Sequence, residues 1–156
     1  MTHPLAILRL FPEHKSRLYA RVRIWRTVKD FQRARPDLTR DARGCCTGHQ
    51  WYKNGRKLPI FCTVELIQSY LGAGCTAHEL THATIQWAER IKLKPEAIFE
   101  DARRWGKWRD GRPDVTIGQV MNYGCAEELF CYAMGEMYRQ LVTQLYRRKL
   151  FKQILR

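Results

Sequence analysis

The chain has 156 residues, enough for one domain with a substantial core and too few for two full enzymatic domains. Its 28 Lys and Arg against 15 Asp and Glu give a net charge of +13, while 45% apolar residues, with five Trp, seven Tyr and six Phe, exclude a disordered basic tail. The excess charge sits at the two ends: residues 1–44 carry 11 basic and 4 acidic side chains, residues 45–138 balance at 11 of each, and residues 139–156 hold 6 basic and no acidic ones.

An acidic partner such as nucleic acid fits that distribution, and so does a generally soluble basic surface. No run of about 18 apolar residues occurs, so no membrane-spanning helix is expected. The apolar stretch Leu5 to Leu10 is broken by Arg9 and lacks a small-residue cleavage site, which argues against a secretory leader. Six cysteines, none in a C-x-x-C pair, read as reduced thiols of a cytoplasmic protein rather than as disulfides or a structural zinc knuckle.

Between Ser16 and Thr27, Leu18, Ala20, Val22 and Ile24 alternate with Tyr19, Arg21, Arg23 and Trp25, the two-residue period of a half-buried strand with arginines on its open face. A short helix is expected from Thr27 to Ala34, stopped by Pro36, and Asp37 to Gly48 reads as loop. Asn54-Gly55 is turn chemistry between two β-like runs, the second being Ile60 to Leu66, so a hairpin is expected there. The pattern turns helical from Gln68 to Ile91, again from Pro95 to Trp108, and once more from about Val120 to the C-terminus. Strands first and helices afterwards give an α+β class, with N-terminal antiparallel strands followed by a helical part. The whole of 1–156 reads as one domain: a basic lead-in (1–44), a neutral core (45–138) and a basic amphipathic C-terminal helix (139–156), in which Leu141, Leu145, Leu150 and Ile154 recur at helical spacing.

Within the Gln68–Ile91 helix lies His78-Glu79-Leu80-Thr81-His82. Four-residue spacing puts both imidazoles on one helical face, within reach of a single cation, and Glu79 beside them can address a water on that cation. This is the H-E-x-x-H pattern, which the chain's own composition would produce by chance about once in a hundred. Thr76-Ala77-His78-Glu79 also fits a capping box, in which Glu79 would bond backbone instead. A catalytic zinc needs a third protein ligand and an open position. No histidine follows His82, which excludes families with a downstream third histidine and leaves a carboxylate on a later helix. Asn122 to Tyr138 is the natural donor, with Glu127, Glu128 and Glu136 among apolar neighbours and no basic residue. The other reading of Glu127 and Glu128 is a solvated helix start, where carboxylates offset the dipole. Glu136 reads either as a partner for a ligating histidine or as an ordinary surface residue.

His78 to His82 followed by Ala83, and Glu127-Glu128-Leu129 leading into Tyr132-Ala133 and Glu136, resembles the gluzincin-like peptidase domains of the ArdC antirestriction and ImmA/IrrE groups over roughly residues 70–140. The resemblance implies a zincin-like fold and a metal site of His78, His82 and Glu128, with Glu127 as the fallback for the third ligand. It further implies zinc as the cofactor, with manganese as the alternative, and a metallopeptidase in which Glu79 is the general base acting on a water molecule. Tyr123 or Tyr132 is the candidate donor to the developing oxyanion, and the edge of the Ile60–Leu66 strand the candidate cradle for an extended protein substrate. Nucleic acid, recruited through the basic termini, is the second candidate partner. The alternative function is a non-hydrolytic nucleic-acid-binding or anti-defence interaction protein. Arg103 to Arg112 interleaves guanidinium with Trp105 and Trp108, either to stack bases or to anchor a loop in the core.

Overall fold

The computed structural model describes residues 3–13, 16–50, 52, 53, 55–93 and 126–150. In chain order its elements are β1 (Ala6–Leu10), β2 (Tyr19–Trp25), α1 (Val28–Ala34), β3 (Gly44–Gly48), β4 (Tyr52–Lys53), β5 (Arg56–Lys57), β6 (Ile60–Ile67), a 3-10 turn (Gln68–Tyr70), α2 (Ala73–Arg90) and α3 (Ala126–Arg147). The class is α+β, with the strands in the N-terminal half.

Four strands form one sheet in the order β1-β2-β6-β3. β1 pairs antiparallel with β2 and β3 antiparallel with β6, but β2 and β6 run parallel, so the sheet is mixed rather than antiparallel throughout. Parallel neighbours need a crossover, which α1, β3 and the β4–β5 turn supply. β6 is buried along all eight residues, as a strand covered on both faces must be. A hairpin does form, but its arms are the two-residue strands β4 and β5; the Ile60 run joins the main sheet instead. Two strands lie where none was expected. In β1 the inward Ala6, Leu8 and Leu10 alternate with Ile7 and Arg9, and β3 occupies the end of the anticipated 37–48 loop.

One face of the sheet carries Leu8, Leu10, Ala20, Val22, Ile24, Cys62, Val64 and Leu66 against α2 and α3. α2 contributes Leu80, Ala83 and Trp87, and α3 contributes Ala133, Met137, Leu141 and Leu145, spaced one turn apart. On the other face, Phe31 of α1 packs with Trp25 and Ile67 and covers one end of the sheet. α1 starts at Thr27, whose hydroxyl accepts from the Asp30 amide, an ordinary N-cap.

Both long helices end in the same way. Leu93 N–H returns to the Ala88 carbonyl across Lys92, and Leu150 N–H returns to the Leu145 carbonyl across Lys149, each lysine in the left-handed region (φ 62° and 55°). The basic C-terminal helix expected over 139–156 is therefore the second half of α3 and stops at Arg147; 151–156 lie outside the described residues. The helix expected at Pro95 to Trp108, with its Arg/Trp run, also lies outside them.

α3 is tied to the outer edge of β1 through side chains. Gln140 accepts from the Phe11 amide (2.9 Å) and donates to the Phe11 carbonyl (3.0 Å), and Gln144 donates to the Arg9 carbonyl (3.1 Å). These contacts occupy backbone groups that an exposed edge would offer to another chain. The five described cysteines form no disulfide, and among the described residues no helix is long and apolar enough to cross a membrane.

Candidate functional site

α2 begins at Ala73 with Gly72 as its N-cap, so Thr76 sits inside the first turn rather than at the cap. Its buried hydroxyl donates to the Leu71 carbonyl (3.2 Å), which removes the capping-box role for Glu79. The helix buries Thr76, Leu80, Ala83, Thr84 and Trp87 and leaves His78, His82, Ile85 and Glu89 on its outward stripe.

On that stripe the two imidazoles converge. His78 Nε2 and His82 Nε2 lie 3.2 Å apart, with the rings edge to face at 4.7 Å between centroids. Two nitrogens held 2.0–2.1 Å from one tetrahedral ion would be about 3.3 Å apart. The pair thus already has the separation of two ligands on a common zinc, and both rings are open to solvent. The donor chemistry and spacing fit a divalent metal of the zinc type.

Glu79, on the same turn, reaches toward β3 and is only 6% exposed. A Cβ on Gly44 would lie 3.1 Å from Glu79 Cγ and 3.2 Å from Glu79 Oε1, so the bare backbone at Gly44 is what lets the carboxylate reach the strand. Four residues on, Gly48 does the same for Gln86, whose carboxamide fills the space a side chain would need. Burial raises the proton affinity of the Glu79 carboxyl above the usual carboxylate range, and the neighbouring His78 and His82 pull it part of the way back. A carboxylate so placed is better suited to accept and hold a proton than an exposed one.

β3 has β6 on one side, and among the described residues no strand on the other. The candidate substrate edge placed earlier on the Ile60–Leu66 strand is thus corrected: β6 is paired on both sides, and the open edge, one residue layer from Glu79, belongs to β3.

No protein-family model, curated protein or solved structure matches this chain.

α3 crosses α2 beside the histidines, where the Thr81 hydroxyl lies 3.7 Å from Met134 Sδ. Glu127 and Glu128 belong to the first turn of α3, but their side chains lie outside the described residues, as does Tyr123 altogether. Tyr132 is on α3 and 48% exposed. Glu136 is occupied elsewhere: it accepts from Arg139 (2.6 and 2.8 Å) and from Gln140 (2.8 Å), on the side of α3 that meets β1. Among the described residues no third His, Cys, Asp or Glu joins the histidine pair.

A second polar cluster escaped the sequence. Glu65, 2% exposed on the opposite face of β6, accepts from Trp25 Nε1 (2.8 Å) and lies 3.4 Å from Arg23 Nη1 and 3.7 Å from Arg35 Nη1. Arg35 also reaches Asp37, Cys45 Sγ and Thr47 Oγ1. The hint available in the sequence was the single acidic residue inside the otherwise uncharged run Ile60 to Ile67.

Proposed function

We propose that this chain is a metal-dependent peptide-bond hydrolase of the gluzincin type, with His78 and His82 holding the ion and Glu79 moving the proton. The observation that carries this reading is the 3.2 Å approach of the two Nε2 atoms on the outward face of a helix whose next residue, Glu79, is a buried carboxylate beside an open strand edge.

Zinc, when bound, polarises a carbonyl and acidifies water. Glu79 takes a proton from the attacking water at its carboxylate and returns it to the leaving nitrogen. Its raised proton affinity suits both halves of that task. An extended peptide pairs with those N–H and C=O groups of Gly44–Gly48 that face away from β6, as an added antiparallel or parallel strand would. That pairing sets the scissile bond beside Glu79 and the histidines. Tyr132 is the described candidate for donating to the oxyanion, and Tyr132→Phe is expected to lower turnover without changing metal content.

The third ligand is a carboxylate of the Glu127-Glu128 pair. The resemblance aligns Glu128 with that role and leaves Glu127 as the fallback, both positions being in the first turn of α3. The test of the function is hydrolysis of an unfolded protein substrate by the zinc-loaded chain. Turnover lost in Glu79→Gln with zinc retained supports the reading; equal turnover in wild type and Glu79→Gln contradicts it.

A further inference from the structure

The sheet face away from α2 and α3 carries the side chains that the proposed hydrolysis does not use. Strand register arranges them in rows: Ile7, Arg23, Glu65 and Cys45 across one, Arg9, Arg21, Thr63 and Thr47 across the next. α1 covers only the Trp25 and Ile67 end of this face. Toward the other end Ile7 is 53% exposed in mid-strand and Arg23 has 35% side-chain exposure, while Thr63 and Glu65 in the β6 row are buried.

Arg9 and Arg21 are direct cross-strand partners, and like charges so opposed destabilise a sheet. Among the described residues neither forms an ion pair. Among the described strands the carboxylate on this face, Glu65, is engaged by Trp25, Arg23 and Arg35. Arg9 instead lies over the Tyr19 ring (5.1 Å), and Tyr19 leans on Phe11 (6.0 Å between centroids). His49, bonded to Thr63 Oγ1 at 2.7 Å, is harder to protonate because of burial and the fields of Arg21 and Arg23. An uncompensated cationic row beside an aromatic ring thus lies on a floor about 13 Å long from residue 19 to 23.

We propose that the β1–β2 side of this face binds a single-stranded nucleic acid, with Arg9 and Arg21 on consecutive phosphates and Tyr19 stacking a base. The charge calls for a polyanion, and an arginine lying on an aromatic ring is the combination that holds unpaired bases without reading sequence. The floor takes a few nucleotides of one strand, and α1 rises at its end. The site shares no residue with the metal centre, so it stands or falls independently of hydrolysis.

The experiment is fluorescence anisotropy of a labelled 20-nucleotide oligothymidine with the full chain between 50 and 200 mM salt. The joint variant Arg9→Gln/Arg21→Gln is expected to bind at least tenfold more weakly, and to reduce the slope of log K against log salt by about 1.4, that is, about 0.7 per lost phosphate contact. Its Tm should stay level or rise, since a like-charge pair is relieved. Tyr19→Ala should weaken binding about fivefold or more with the slope kept. Arg147→Gln/Arg148→Gln/Lys149→Gln should stay within about threefold of wild type, and Glu79→Gln should bind as wild type. Photocrosslinking of the bound oligothymidine to the unaltered chain should label Tyr19 or Phe11. The proposal is overturned if the 147–149 variant loses as much as the Arg9/Arg21 one, if adducts fall only elsewhere, if a duplex or polyglutamate of equal length binds as tightly, or if nothing binds at 50 mM salt.

Discussion

Gly44→Ala separates what the fold needs from what the proposed chemistry needs. The added Cβ would sit 3.1 Å from Glu79 Cγ and 3.2 Å from both Glu79 Oε1 and the Glu65 carbonyl oxygen. Ordinary contacts of this kind lie at about 3.5–4.0 Å, so something must yield by about half an ångström. The Glu65 oxygen is fixed in the β3–β6 ladder, whereas Glu79 can turn about its side-chain bonds, so the carboxylate moves. Overpacking of this size costs about 1 kcal/mol, and the alanine returns about 0.4–1 kcal/mol by restricting the unfolded chain. Net stability should change by no more than about 1 kcal/mol, or about 2–4 °C in Tm for a domain of this size. Activity should suffer more, because a shift of about 1 Å in a catalytic group is worth about a hundredfold and half of that about tenfold. Thermal melts of Gly44→Ala, Glu79→Ala and the double variant, with turnover of the first, complete the test. If Glu79 is the group that yields, Gly44→Ala in the Glu79→Ala background should be more stable than the single changes add up to, with a coupling of about 1 kcal/mol. Strict additivity, or full activity in Gly44→Ala, would refute the reasoning.

Two further outcomes follow from the same geometry. Glu65→Gln leaves Arg23 and Arg35 without their shared buried carboxylate and should lower stability by about 2–3 kcal/mol, read as a Tm drop of several degrees in a melt; a drop under 1 °C would show the cluster to be inert. Burial pushes the Cys45 thiol up to about 12 despite Arg35 alongside, so at neutral pH it stays protonated. A thiol-reactive dye should therefore label the exposed Cys131 in the folded chain and reach Cys45 only on unfolding, as mass mapping would show.

The α+β class, β2, α1, the bulk of α2 and the histidine pair were legible because each carries a strong local signal: strict alternation in Tyr19–Trp25, a Thr cap before Val28, and apolar spacing through Leu80, Ala83 and Trp87. β3 was not, because Gly-Cys-Cys-Thr-Gly lacks alternation and has Thr47 as its single β-branched residue; its identity comes from pairing with β6 and from glycines that make room for Glu79 and Gln86. The same nonlocal pairing hid the parallel β2–β6 contact and moved the open edge from β6 to β3. Apolar spacing continued the C-terminal helix past 147, since nothing in Arg148-Lys149-Leu150 marks a stop; the left-handed Lys149 is set by Leu150 folding back into the core. The roles of Glu127, Glu128 and Tyr123 rest on the motif.

In the proposed site His78, His82 and a carboxylate at the head of α3 hold one zinc ion. The most direct test of this arrangement is elemental analysis of the purified chain after zinc loading and exhaustive dialysis, alongside His78→Ala, His82→Ala, Glu127→Ala and Glu128→Ala. One zinc per chain is expected in the wild type, with loss in both histidine variants and in one of the two glutamate variants. Substoichiometric zinc in the folded wild type, or full zinc in a variant lacking both histidines, would contradict the arrangement.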